Sequence, residues 1–572
     1  MTDLRPPGPG SPARPDGRPL LGEGQIGVLR RYGPEQAVGE GEVLFADGDQ
    51  SYDLIVLLEG QVDIVQGYGR PDPVLIARYG PSEFLGEMGL LTGQRVYLTA
   101  EAAAPSRVLR IPVDGVRSIM AQELDLSELI LRSFLYRHAR LTSRGTGLTL
   151  IGSRFDGNTR RLLEVLARNR LPSRWLELEE SAEAEMLLRE LQVPPADLPI
   201  VVVPGSPLLR NPGNRELLAA LGLVAIHEDA NDPTEICDLL VVGGGPAGLA
   251  AAVYGASEGM TTTLAEDTAL GGQAGTSSRI ENYLGFPAGL SGEELAVRGS
   301  LQAQKFGVRI KLAARAVGLS TWNGAHHVRF EDGETVSALS VIIATGARYN
   351  RLPLARLADF EGVGVYYAAT QMEAQTCAGR PAVVVGGGNS AGQAALFLAR
   401  TCSRVHLVIR GDDLANSMSR YLIDQIDRHP EISLSTRTEV VGLVGETVLQ
   451  GVELRDGTDR STSVLEVCGL FVFIGAKPST DWLEGQLATD DHGFLLTGTD
   501  LPADVRDGLD QPPLLLETCR PGVFGVGDVR SGSVKRAATA IGEGSMAVRL
   551  VFDRLQATGL AVAAPPSPGA VR

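Results

Sequence analysis

Two glycine-rich turns carry the most legible chemistry of this chain: Gly243-Gly244-Gly245-Pro246-Ala247-Gly248 and Gly386-Gly387-Gly388-Asn389-Ser390-Ala391. Glycines at these spacings let backbone N–H groups close on a pyrophosphate while a helix N-terminus faces the anion. In the first turn Gly243 permits the tight bend, Gly245 the approach of the phosphate and Gly248 the packing of helix on strand. In the second, Ala391 replaces the last glycine. Glu266 follows the first turn at the spacing where a carboxylate accepts bonds from a ribose. Arg410 holds the corresponding place after the second, where a cation meets a 2′-phosphate and so favours NADPH, with NADH still admissible. Two dinucleotide sites on one chain predict electron transfer from one nucleotide to the other. Bound cofactors carry such chemistry and the protein positions them, so no catalytic side chain is named.

The sulfur and imidazole groups offer less. Cys237, Cys377, Cys402, Cys468 and Cys519 form no Cys-x-x-Cys and have no histidines at ligand spacing. This excludes a zinc site and fits a reducing cytoplasm. Cys377 reads as an unpaired, buried small hydrophobe. His326-His327, close to Asn323-Gly324, reads as part of a surface hairpin rather than a metal pair.

The elements around the turns repeat one pattern. Apolar runs at Leu239–Val242, Thr262–Ala265 and Val341–Ile343 predict strands around the first turn. Ala382–Val385 and Val405–Ile409 do so around the second, with a helix over Gln393–Arg400. Upstream, short strands such as Leu54–Leu58 and Val62–Val65 predict a β-roll, followed by a helix with Leu126, Leu129, Ile130 and Phe134 on one face. Residues 146–228 read as βαβαβ, with strands at 148–151, 175–178 and 199–203 and helices at 159–168 and 182–191. The Pro-rich ends, 1–22 and 558–572, read as disordered. The formal charge of −17 over 572 residues, without a basic stripe, argues against nucleic acid. No apolar run approaches the ~20 residues of a membrane span, and no secretory signal is seen. The expectation is a cytoplasmic protein away from membranes.

With Gly271-Gly272-Gln273, Ile280-Glu281-Asn282, Ala344-Thr345-Gly346-Ala347 and Gly522–Asp528, residues from 238 to about 555 resemble the low-molecular-weight thioredoxin reductase family. The resemblance implies FAD bound by the first turn and by Gly272, Gln273, Asn282, Thr345, Gly346 and Gly527. It puts Asp528 on the ribityl chain and Lys535-Arg536-Ala537 at a helix start beside the flavin, with Lys535-Arg536 where the family often has Arg-Gln. It implies an NAD(P) domain (351–477) inserted into an FAD domain (236–350 and 478–557), crossing back through Gly475-Ala476-Lys477-Pro478, and a homodimer. The family's redox pair falls on Tyr366–Gln371, where Ala368 and Gln371 replace both cysteines. A thiol relay through this segment is excluded, because exchange needs a thiolate and a partner sulfur. The electron acceptor is left unassigned.

Residues 146–228 resemble a thioredoxin or glutaredoxin domain (Leu198-Pro199 at the cis-proline place) whose active-site turn, Gly152–Gly157, holds no cysteine. Residues 23–142 resemble a cyclic-nucleotide-binding domain, with Gly86-Glu87 and Arg95 as its phosphate cassette and cAMP or cGMP as the implied ligand. The loop is about one residue short, and Arg95-Val96-Tyr97 stands for Arg-Ala-Ala. The fold expected is therefore α/β, with two Rossmann-like domains preceded by a β-roll and a small thioredoxin-like domain. The leading expectation is an FAD-dependent NAD(P)H oxidoreductase regulated by a cyclic nucleotide. One-electron transfer to a ferredoxin and a non-catalytic redox and nucleotide sensor are the alternatives.

Overall fold

The computed structural model describes residues 19–557 and 559, apart from 50, 70–71, 88, 144–146, 154–155, 205, 225–235, 277–279, 281–282, 362–363, 368, 370 and 447. The Pro-rich ends expected to be disordered fall largely outside these residues. One correction concerns residues 19–22: Leu21 is buried, and its N–H donates to the Ser82 carbonyl at 2.8 Å. An apolar residue beside the first helix joins the core and fixes the chain there.

The first module opens with α1 (Glu23–Leu29), followed by β1 (Glu35–Val38), β2 (Val43–Phe45), β3 (Leu54–Gln66), β4 (Val74–Tyr79), β5 (Phe84–Leu85), the short α2 (Gly89–Thr92) and β6 (Thr99–Ile111). The long β3 and β6 pair antiparallel and carry the other strands as a roll. Helices α3 (Val113–Gln122) and α4 (Leu124–Ser143) follow, and α4 buries Leu126, Leu129, Ile130 and Phe134.

The second module is β7 (Leu148–Gly152), α5 (Gly157–Arg168), β8 (Ser173–Glu177), α6 (Ala182–Glu190), β9 (Ile200–Val202), β10 (Leu209–Arg210) and α7 (Asn214–Ala220). Its sheet runs β10-β9-β7-β8, with β7 and β8 parallel and β9 antiparallel to β7. The Leu198–Pro199 peptide is cis.

The third unit contains β11 (Ile236–Val242), α8 (Pro246–Ser257), β12 (Thr262–Glu266), α9 (Gly292–Lys305), β13 (Arg309–Leu312), β14 (Ala316–Trp322), β15 (Ala325–Phe330), β16 (Thr335–Ile343) and β17 (Ala347–Tyr349). After a short α10 (Leu357–Phe360), the inserted unit has β18 (Val365–Tyr366), α11 (Gln371–Thr376), β19 (Pro381–Val385), α12 (Asn389–Leu398), β20 (Arg404–Val408), α13 (Arg420–Asp427) and β21 (Ile432–Ser435). An antiparallel meander of β22 (Thr438–Val444), β23 (Gly451–Asp456) and β24 (Thr462–Glu466) precedes β25 (Gly469–Val472) and β26 (Ala476–Pro478). The chain then returns through α14 (Ala503–Asp507), β27 (Val523–Gly525) and α15 (Ala537–Ala557).

Parallel β13-β12-β11-β16-β27 and parallel β18-β25-β19-β20-β21 form the two dinucleotide-type sheets. The central strands β11 and β19 are apolar runs because both faces of each sheet are covered, by helices on one side and by the β14–β15 hairpin or the β22–β23 strands on the other. Antiparallel β17 and β26 carry the chain between the two units.

His326 and His327 are not surface residues, contrary to the expectation from the sequence. β14 and β15 do make the expected hairpin, but both rings turn inward: His326 is 5% and His327 6% exposed. The Trp322 ring stacks on His327 at 3.9 Å, and Ser337 and Thr321 hydroxyls meet the Nδ1 atoms of His327 and His326. As neighbours on β15 the two rings face opposite sides of the sheet, and both sides are covered here: His327 lies against Trp322 and His326 beside Gly522.

Candidate functional site

The first glycine turn joins β11 to α8 at the carboxyl edge of its sheet. Gly243 adopts φ +108°, and a Cβ there would sit 2.3 Å from the Ala344 carbonyl oxygen. A Cβ on Gly248 would fall 1.8 Å from the Gly243 oxygen, so both positions demand glycine for space. Gly245, which precedes α8, faces open room instead: its nearest neighbour is the Cα of Gly272 at 3.9 Å. That room lies at a helix N-terminus, where free backbone N–H groups and the helix dipole favour an anion. Glu266 lies against the turn, accepting the Gly244 N–H at 2.6 Å and the Thr268 N–H at 2.9 Å. Burial pushes its carboxyl up, and these N–H bonds pull the other way.

Other expected residues gather nearby. Gly272 closes on Gly245, and the Gln273 amide donates to the Ala347 carbonyl. Thr345 donates to the Ser479 carbonyl at 2.8 Å, and Gly346 accepts the Ser479 N–H, so both knit the crossing between the units. Gly527, at φ +69°, abuts Ala247, and its N–H donates to Glu543 at 2.7 Å. Burial pushes the neighbouring Asp528 carboxyl up, with Lys535 opposing, while Lys535 itself lies 4.6 Å over the Phe494 ring. Tyr349 faces Asp528, stacks on Tyr367 at 5.7 Å and is pushed to about 12 by burial. Arg536 and Ala537 stand at the start of α15. Asn282 and Ala368 lie outside the described residues.

At the second turn Gly386 takes φ +140°, with the Phe473 oxygen 2.2 Å from where a Cβ would be. Gly388 caps α12, which starts at Asn389, earlier than the Gln393 expected from apolar spacing. Asn389 accepts the Ser419 N–H at 2.7 Å, and the Ser417 hydroxyl donates to the Gly387 carbonyl at 2.9 Å. The segment after Arg410 thus folds back over the turn. Ala391 is buried, Ser390 is exposed, and Arg410 is exposed at the end of β20.

In the first module Glu87 turns its carboxylate onto the Gly89 N–H, while its own N–H donates to the Tyr52 hydroxyl at 3.0 Å. Gly86 stands at φ +151° against Phe134. Arg95 reaches the second module: its guanidinium donates to Ser206 at 3.3 Å and its N–H to the Leu221 carbonyl at 3.0 Å. Its buried Nε has no hydrogen-bond partner among the described residues. Leu90 and Leu91 share a core with Val297 and Leu301 of α9, and Arg170 pairs with Glu293 at 2.9 Å.

Residues 237–544, more than half of the chain, match the pyridine nucleotide-disulphide oxidoreductase family. The chain belongs to that family. A cyclic nucleotide-binding domain model matches residues 35–123. The thioredoxin reductase of Chlamydia trachomatis is 31% identical over 319 residues, covering 54% of this chain and 95% of that protein. The NADPH-dependent thioredoxin reductase 3 of Arabidopsis thaliana is 32% identical over 357 residues, covering 60% of this chain and 64% of that protein. A solved thioredoxin reductase from Giardia duodenalis shares the fold, with TM-score 0.51 at 24% identity over 56% of this chain and 100% of that one. The chain is thus an NAD(P)H-dependent flavoprotein oxidoreductase of the thioredoxin reductase type, with a cyclic nucleotide-binding domain at its N-terminal end.

Cys377 is buried, but it is not unpaired: it forms a disulfide with Cys468, with Cα atoms 5.6 Å apart. A sequence separation of 91 hid the pair, which only the return of the chain to β25 brings together. Cys468 donates its N–H to the carbonyl of Pro381, the first residue of β19. The disulfide therefore sits at the amino edge of the sheet, about a strand length (~16 Å) from the glycine turn at the carboxyl edge. Sequence reasoning also missed Gly544 of α15. A Cβ there would fall 2.1 Å from the Ala247 oxygen, so this glycine lets α15 lie against the first turn's helix.

Proposed function

We propose that this chain binds FAD at the first glycine turn and NADPH at the second, and passes electrons to an acceptor other than a Cys-x-x-Cys of its own. The carrying observation is the pairing of two glycine turns, each at the carboxyl edge of a parallel sheet, on units joined by β17 and β26. For the dinucleotide the chain offers the open room at Gly245, the carboxylate of Glu266 and, toward the flavin end, Asp528 and the start of α15. The N-terminus of α15 favours negative charge beside it. Bound FAD would supply hydride acceptance from the nicotinamide. The protein's part is to hold both nucleotides and to limit access of water.

The N-terminal module regulates this activity on the same reading. A cyclic phosphate at the cassette would find the Arg95 Nε, which has no partner among the described residues, and compete with Ser206 for the guanidinium. Such a ligand acts on the contact between the first and second modules.

Stopped-flow mixing of the purified chain with NADPH and with NADH, followed by an acceptor screen with and without cAMP or cGMP, tests the reading. Rapid flavin bleaching and turnover with an added acceptor are expected, and NADPH should outcompete NADH. Rapid reduction of thioredoxin without an auxiliary protein would overturn the proposed acceptor class. Slow bleaching without turnover would favour the sensor.

A further inference from the structure

Arg410 does not stand alone at the end of β20. The Thr438 N–H donates to the Ile409 carbonyl at 2.9 Å, the Arg437 N–H to the Gly411 carbonyl at 2.9 Å, and the Gly457 N–H to the Arg437 carbonyl at 2.6 Å. These bonds fasten the β22–β24 meander to the loop after β20. A cavity of about 490 Å³ opens at the junction, lined by Arg410, Arg437, Glu439, Arg455, Asp456, Gly457 and Arg460.

The charges in this cavity are not equivalent. Arg437 is paired with Asp412, and Arg455 donates to Glu439 at 2.8 Å. Asp456 accepts the Thr458 N–H at 2.6 Å. Arg410 and Arg460 have no carboxylate partner among the described residues, and both line the same cavity. Two guanidinium groups without a carboxylate partner among the described residues, one just past the second strand of a dinucleotide unit and one on the turn beside it, are suited to a phosphate monoester, which accepts forked N–H bonds.

We propose that Arg460, on the β23–β24 turn, acts with Arg410 to bind the adenosine 2′-phosphate and sets the preference for NADPH over NADH. This rests on the reading of the second glycine turn as the NAD(P) site. Gly411 leaves Arg410 without a cationic neighbour in sequence, and Arg460 supplies the second cation from 50 residues along the chain.

The test is calorimetric titration of the full chain with 2′,5′-ADP and with 5′-AMP, which needs no turnover. Arg460→Asn is the variant of choice, because position 460 sits at φ +61°, a conformation asparagine tolerates. Expected is about a tenfold loss of 2′,5′-ADP affinity in Arg460→Asn and in Arg410→Ala, with 5′-AMP affinity unchanged. Unchanged 2′,5′-ADP affinity in Arg460→Asn overturns the proposal. Equal wild-type affinity for both ligands also overturns it and leaves the dinucleotide site standing. Binding of neither ligand removes both.

Discussion

His326 illustrates how one buried ring makes stability depend on proton concentration. Burial, reinforced by Arg520, depresses it from 6.5 to about 4. Between those values the unfolded chain takes up a proton that the folded chain refuses. Its contribution is therefore intact above pH 6.5 and is lost as pH falls toward 4. Relative to His326→Gln, the wild type should lose roughly 2–3 kcal/mol between pH 7 and pH 4.5, read from urea unfolding at each pH. A gap independent of pH would show that the ring titrates normally. At the residue scale the sequence was most informative where backbone space decides: Gly243, Gly248 and Gly386 are glycines because no Cβ fits. It was least informative where a partner lies far along the chain, as for Cys377 with Cys468.

Helices and strands of the two dinucleotide units were legible because glycine turns punctuate apolar runs, fixing where a strand must stop and a helix begin. The β22–β24 meander left no such mark, and neither did the approach of α15 to α8. That approach predicts a sensitive position. Gly544→Val would press a side chain into the Ala247 carbonyl, and the backbone must move. Overpacking of this kind costs about 1–3 kcal/mol. Because α8 begins at the turn proposed to hold the FAD diphosphate, the variant should also leave purification with less bound flavin. A fall in melting temperature with full flavin content would separate the helix contact from the turn.

Across the whole molecule, the modules do not behave as beads on a string. Tyr97 of the first module and Leu312 of β13 enter the core of the second, and Arg215 bonds with Asp332 and Glu334. Val297 and Leu301 of α9 enter the core of the first. On its other side α9 places Ala296 against Gly271, next to the first glycine turn. Leu301→Asp should therefore lower the melting of the N-terminal module and accelerate flavin release, followed by calorimetry and by flavin fluorescence. Loss of the N-terminal transition with unaltered flavin release would mean that α9 transmits nothing. Sequence patterning reads each module by itself, since each has its own periodicity. The contacts between them were invisible because an apolar helix face does not say which neighbour covers it.

Helix α9 answers to two cores at once, and this constrains the chain's history as well as its stability. A mutation on the Val297–Leu301 face that a reductase without the N-terminal module would tolerate is screened here by the roll too. The fused halves can diverge only in step, and a helix grafted from a single-module relative should be rejected unless its new neighbours are exchanged with it.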